Sequence, residues 1–275
     1  MFPVWLNGAL VDATDAAVPV LDHGLTVGDG VFETMRTERG EPFAVTRHLR
    51  RLRRSLAGLG VDLDRTDDEL RAGLRAVAST IDGPAKIRLT VTAGPGPLGS
   101  GRDDGPTTAF VVGGRLDPWP PTGRAVTVPW RRNEHSAVAG LKTTSYAENV
   151  VALAAARERG ASEALLANTA GDLCEGTGSN VFVVHDGVIR TPPLSSGCLA
   201  GVTRELIVER LPFDVIAEPL PMSCLDDADE VFLTSSTRDV QPQSRIDDRE
   251  LEERGPVGSA VCAAFARLAA DDVDP

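Results

Sequence analysis

The sequence predicts a mixed α/β protein of two domains, and three observations carry that expectation. A chain of 275 residues with 42% hydrophobic and 25% charged side chains has enough apolar material for one large or two modest cores. Helix-period apolar stripes recur between short runs of alternating or β-branched residues along its whole length. A glycine- and proline-rich stretch, GGRLDPWPPTG, interrupts the pattern near the middle. The expected division is an N-terminal α/β domain at 1–113, a linker at 114–123 and a C-terminal α/β domain at 124–275 that carries Lys142.

Taken in order, Val31 to Thr37 reads as a strand and Phe43 to Val45 as a second, short one. A helix is expected from Thr46 to Leu59, where Leu49, Leu52, Leu56 and Leu59 form an apolar stripe at spacings of three and four and Gly60 ends it. A second helix, Arg65 to Ser79, places Leu70, Leu74 and Val77 on one face. Ile87, Leu89 and Val91 alternate as a half-buried strand does, and Thr108 to Val112 follows. Beyond the linker come a strand at Ala125 to Val128, a helix at Ala147 to Arg159, strands at Glu163 to Ala167 and Asn180 to Val184, and a helix at Gly201 to Arg210. Strands near Val215 and at Val231 to Thr234 and a helix at Val257 to Leu268 complete the set. The alanine-rich run Val150 to Ala156 suits a helix packed closely inside the protein or between subunits, the inside reading being favoured. No solenoid repeat or low-complexity tract is present.

Composition excludes several function classes. The net charge is −12 and the pI about 4.8, which disfavours sequence-independent attraction to nucleic acid or to an anionic membrane. The arginine cluster Arg47, Arg50, Arg51, Arg53 and Arg54 is the local exception and is expected mostly on a solvated helix face. No apolar run approaches the length of a membrane span, and the start lacks a secretory pattern. Four scattered cysteines and four histidines show no metal-ligand spacing, so no metal is expected and reduced thiols in a cytoplasmic protein are. Of the 28 basic residues only Lys86 and Lys142 are lysines. Arginine cannot replace lysine where an amine must attack a carbonyl, so each lysine is informative. Lys86 opens the strand KIRLTVT and reads as structural.

Lys142 lies in GLKTTSYAENV, just before a predicted helix, with the only tyrosine, Tyr146, four residues on. An attacking amine needs a neutral form, a fixed position and a nearby hydroxyl, and this pair offers that set. Glu175, in DLCEGTGSNVFVV, is a carboxylate followed by small residues and then a strand, suited to hold a protonated ring nitrogen. Val202 and Thr203 stand at the mouth of a helix, where free N–H groups and a hydroxyl make an anion cradle. Ser235 and Ser236 lie in the hydroxyl-rich turn TSSTRD. Each has a plain alternative as a loop, turn or cap residue.

Their order is more specific. GDGVFETMR, HLRRLRRS, LKTTSYAENV, EGTGSNVFVV, GCLAGVTRE and LTSSTRDVQP together resemble the class IV aminotransferases, the fold type IV enzymes of pyridoxal 5′-phosphate, from about Val4 to Gln243. The resemblance implies that fold, that cofactor and a homodimer. It implies that Lys142 is the lysine that carries the cofactor and acts as base and acid on the substrate carbon. Glu175 would hold the pyridine nitrogen, and Leu199 would pack on the ring. Arg51, pointing inward while its neighbours are solvated, would bind phosphate with Val202, Thr203, Ser235 and Ser236. Thr177 is placed with the cofactor by the same likeness. Tyr146 matches a hydroxyl of the branched-chain enzymes at a spacing one residue shorter.

Substrate residues must divide the family. D-amino acid aminotransferases have tyrosine where Phe32 stands and arginine where Ala93 stands, so two parts of their carboxylate trap are missing here. Arg238 is similar to an arginine in the NSLRG turn of lyase-type members, and a second cation suits a substrate with two carboxylates. The resemblance therefore implies conversion of 4-amino-4-deoxychorismate to 4-aminobenzoate and pyruvate. The alternatives are transamination of a branched-chain or other small amino acid with 2-oxoglutarate, and a non-catalytic scaffold.

Overall fold

The computed structural model describes residues 2–275 and groups them into two compact units. The first contains residues up to Asp117 together with Leu141–Ser145 and Asp272–Pro275, and the second contains Pro118–Gly140 and Tyr146–Asp271.

In the first unit the strands are β1 (Val4–Leu6), β2 (Ala9–Val11), β3 (Gly30–Glu38), β4 (Glu41–Pro42), β5 (Ala85–Thr92) and β6 (Thr108–Arg115), and the helices α1 (His23–Thr26), α2 (Val45–Leu59) and α3 (Asp67–Ala78). The strands form one sheet in the order β2-β1-β6-β5-β3-β4. Alternation along β3 and β5 sends Val31, Met35, Ile87, Leu89 and Val91 into a core completed by Leu49, Leu52 and Leu56 of α2 and Leu70, Leu74 and Val77 of α3. Each such buried leucine stabilises the unit by roughly 1.5–3 kcal/mol before conformational entropy is subtracted. Thr66 and Glu69 cap α3 reciprocally, which moves its start two residues past the expected Arg65.

The expected strand Phe43–Val45 is not formed. Strand β4 ends at Pro42, and Ala44 adopts a left-handed φ of 54° that turns the chain directly into α2. The expected linker also begins too early, because β6 runs on through Gly113 and Gly114 to Arg115. Gly113 is there for packing: a Cβ would meet Ile81 Cδ1 at 2.7 Å. The placement of Lys142 with the C-terminal domain is corrected as well. Phe32 donates its N–H to the Lys142 carbonyl at 3.0 Å, Thr144 donates to the Gly30 carbonyl at 2.8 Å, and Thr143 bridges Val31. Backbone pairing to β3 thus outweighs sequence position, and the lysine segment belongs to the first unit.

In the second unit nine strands, β7 (Gly123–Arg132), β8 (Glu163–Asn168), β9 (Leu173–Gly176), β10 (Asn180–His185), β11 (Val188–Thr191), β12 (Val215–Ala217), β13 (Glu230–Ser235), β14 (Asp239–Ile246) and β15 (Arg249–Glu250), share a sheet. The helices are α4 (Ala147–Glu158), α5 (Val202–Arg210), α6 (Cys224–Asp227) and α7 (Pro256–Asp271). Strand β8 is buried along its whole length, with Leu165 in one apolar cluster and Ala164 and Leu166 in another, as expected of a strand covered on both faces. Ala152 and Ala156 of α4 pack into the second cluster, whereas Val150 and Val151 are 64% and 53% exposed, so only the alanine side of that run is interior. Among the described residues no helix is long and apolar enough to cross a membrane, and no cluster of His, Cys, Asp or Glu could hold a metal ion.

Candidate active site

In the first unit, Lys142 is half-buried and its backbone N–H donates to Ser55 Oγ of α2 at 3.2 Å. Its ammonium lies 4.4 Å from the centre of the Phe32 ring. The same ring carries the Arg88 guanidinium at 3.6 Å. Register explains this: Phe32 pairs with Thr90 and Thr34 with Arg88, so Phe32 and Arg88 share the sheet face opposite the leucine core. Sequence reasoning missed Arg88. A charged residue alternating with Ile87 and Leu89 was the available signal.

Arg51 points inward, while Arg50 and Arg54 are exposed. Its Nε and Nη2 donate to the two Glu33 oxygens at 2.8 and 2.6 Å, a bidentate pair, and His48 Nδ1 lies 2.6 Å from Glu33 Oε2. Burial alone would raise the Glu33 pKa; the charge and hydrogen bonds of Arg51, joined by His48, override it and bring it down to about 2. His48 is pushed below its ordinary value chiefly by burial, against the pull of Glu33. Ala93 is half-buried against the core just past β5 and donates its N–H to the Asp29 carbonyl at 3.0 Å.

In the second unit, Glu175 is buried on β9. Its Oε1 lies 3.0 Å from Arg132 Nε, and its Oε2 accepts the Leu199 N–H at 2.9 Å. Arg132 is itself held by Glu148 at 2.9 Å and Asn149 at 2.8 Å. A carboxylate held in place by a guanidinium and an amide is the acceptor that a protonated ring nitrogen needs opposite it. Arg132 was not singled out from sequence, since nothing distinguishes it from its neighbour Arg131 there.

Val202 and Thr203 are the first two residues of α5 and are buried, and no side chain caps that helix end. Its first N–H groups therefore have no intrahelical acceptor. Gly201 before them admits no side chain, because a Cβ would lie 1.9 Å from Asn180 Oδ1. This close-approach backbone with uncapped donors and a buried hydroxyl suits a phosphate, and together with Glu175 the donor set fits a phosphorylated pyridine. Tyr146 is the N-cap residue of α4, half-buried.

Ser235 ends β13, and Arg238 donates its N–H back to the Ser235 carbonyl at 3.2 Å, closing the tight turn in which Ser236 lies half-buried. Two further expected ligand groups are likewise engaged within the protein. The Thr177 hydroxyl and N–H both donate to Glu163 Oε1, and Arg238 Nη2 lies 3.3 Å from Glu163 Oε2 with its guanidinium 4.4 Å from the centre of the Trp119 ring.

The amino-transferase class IV family model matches residues 30–246. A Methanocaldococcus jannaschii protein provisionally named branched-chain-amino-acid aminotransferase is 36% identical over 91% of this chain and 90% of its own length. The aminodeoxychorismate lyase of Bacillus subtilis is 30% identical over 89% of this chain and 87% of its own. The branched-chain aminotransferase of Thermoproteus uzoniensis, solved with norvaline, superposes with a TM-score of 0.92 at 29% identity, covering 98% and 95% of the two chains. The branched-chain amino acid aminotransferase of T.th., solved with N-(5′-phosphopyridoxyl)-L-glutamate, gives 0.90 at 28% identity, covering 98% and 94%.

Proposed function

Because the chain belongs to the class IV aminotransferases, a pyridoxal 5′-phosphate-dependent family, we propose that it transfers the amino group of a branched-chain or other small amino acid to 2-oxoglutarate. When bound, the cofactor supplies an electron sink for the charge that develops on the substrate carbon. Lys142 Nζ would carry it and move the proton on and off that carbon. Glu175, fixed by Arg132 and the Leu199 N–H, would hold the ring nitrogen, with Leu199 packed on the ring. The α5 terminus at Val202 and Thr203, the Ser235–Ser236 turn and Arg51, anchored by Glu33, would bind the phosphate. Thr177, through its bonds to Glu163, would shape the turn after Glu175, and Tyr146 would contribute its hydroxyl.

One observation carries the choice of reaction: a single apolar ring, Phe32, lies under both the Lys142 amine and the Arg88 guanidinium. An apolar ring suits a hydrocarbon side chain, and a guanidinium on the same ring as the amine suits the second carboxylate of 2-oxoglutarate. The greater identity to the branched-chain-type relative points the same way. A lyase acting on 4-amino-4-deoxychorismate is the second reading, favoured by the buried Arg238 Nε and Nη1, which have no hydrogen-bond partner among the described residues. It ranks lower because Arg238 is already paired with Glu163. A homodimer in the cytoplasm is part of the same proposal.

Product analysis separates the readings. Transamination predicts keto acid and glutamate from a branched-chain amino acid plus 2-oxoglutarate; 4-aminobenzoate formed from aminodeoxychorismate with no acceptor present would reverse the ranking. A protein that takes up no pyridoxal phosphate, and gives no visible band bleached by borohydride, would refute both.

A further inference from the structure

Glu163 opens β8 and is 2% exposed, so its carboxylate must find its partners within the protein. It is a junction of three segments. Oε1 accepts the Thr177 N–H at 3.0 Å and the Thr177 hydroxyl, and Oε2 accepts the Ser179 hydroxyl at 2.9 Å. Oε2 also faces Arg238 Nη2 at 3.3 Å. Gly176 leaves room for it, since a Cβ there would meet Glu163 Cδ at 3.0 Å. One carboxylate thus ties the turn after Glu175 to the turn that follows Ser235.

The Arg238 side chain is 5% exposed, and its Nε and Nη1 are buried without a hydrogen-bond partner among the described residues. Burying a guanidinium costs several kcal/mol unless it is paired and hydrogen-bonded, and here only one of its three nitrogens faces a carboxylate. Trp119 covers its face.

We propose that Glu163 is a positioning residue that orients Arg238 and offsets its charge within the pair, so that the Ser235–Arg238 turn offers an incoming carboxylate hydrogen-bond donors whose positive charge is already largely balanced. Glu163 thereby limits how tightly this turn holds dianionic ligands. The inference rests on the second reading above, in which the buried donors of Arg238 meet a substrate carboxylate.

The test uses the protein as purified with its cofactor, glutarate as the probe, and the variants E163Q, E163A, R238M and E163Q/R238M. Glutamine keeps an acceptor for Thr177 and can reverse the Ser179 bond, but it removes the charge opposite Arg238. Calorimetry is expected to show glutarate binding about tenfold tighter in E163Q, the size of one charge-assisted contact restored, with the gain abolished in the double variant. R238M alone is expected to bind glutarate several-fold more weakly. Hydrogen exchange at Thr177–Ser179 is expected to stay slow in E163Q and to quicken in E163A. Unchanged glutarate affinity in E163Q, or a gain that survives removal of Arg238, overturns the proposal. If E163Q does not fold, an R238M protein with wild-type glutarate affinity overturns it equally. The borohydride-sensitive band, read on the same samples, reports separately on the pyridoxal-phosphate reading: a wild-type protein that shows the band while E163Q binds glutarate unchanged refutes only the role of Glu163.

Discussion

Asp274 caps the helix that carries Arg51: its Oδ1 accepts the Thr46 N–H at 2.7 Å, and its Oδ2 accepts the Thr46 hydroxyl. Helix α2 needs this, because Ala44 at its N-cap has no side chain able to accept a hydrogen bond. Arg71 of α3 holds the same carboxylate at 3.2 Å, and Ala44 donates its N–H to the Val273 carbonyl at 2.8 Å. Replacing Asp274 by Ala is expected to lower stability by about 1 kcal/mol, the usual worth of a lost cap. Urea unfolding of D274A and D274N would check it, with Asn losing less.

The buried Glu33, His48 and Arg51 cluster predicts acid sensitivity of a definite sign. His48 resists protonation in the folded state, so it withdraws stability as pH falls below its ordinary 6.5. Glu33 has a folded pKa depressed from 4.5 to about 2, so its contribution is present above 4.5 and is lost as pH falls from there through 2. Melting temperature is expected to decline across both windows. In H48Q the upper part of that decline should vanish. Arg51→Met should cost about 3–5 kcal/mol, because Glu33 would be left buried without its cation.

Arg88 carries the prediction for specificity. Replacing it by Met should raise KM for 2-oxoglutarate by about 10- to 100-fold, as expected for a lost charge-assisted carboxylate contact, with kcat nearly unchanged. KM for a branched-chain amino acid should move little. Equal effects on both substrates would place Arg88 outside the carboxylate subsite.

Gly201 is predicted to tolerate no side chain. Ala at this position must displace Asn180, whose Nδ2 donates to the Leu199 carbonyl at 2.8 Å, and Leu199 in turn donates to Glu175. The expected result is a stability loss of about 1–3 kcal/mol and weaker retention of pyridoxal phosphate. Thermal melts with and without added cofactor would separate the two effects.

Sequence reasoning located the leucine stripes, most strands and the order of the site motifs because each is written in local periodicity or in a short contiguous pattern. It misjudged Phe43–Val45 since nothing in those letters reveals that Ala44 takes a left-handed turn. It passed over Arg88, Arg132 and Glu163 because their meaning lies in partners that are distant in the chain, such as Glu163 with Arg238, 75 residues apart.

The scarcity of lysine, the helix mouth at Val202 and Thr203, and the carboxylate of EGTGSN were determined by the sequence alone, because they rest on which chemical groups are present and on local backbone geometry. Only the tertiary structure decided that Lys142 pairs with β3 of the first unit, that two cations contact the Phe32 ring, and that Arg238 is buried against Glu163. Backbone pairing, ring stacking and charge neutralisation are fixed by which residues the fold brings within a few ångströms, and no local pattern encodes that distance.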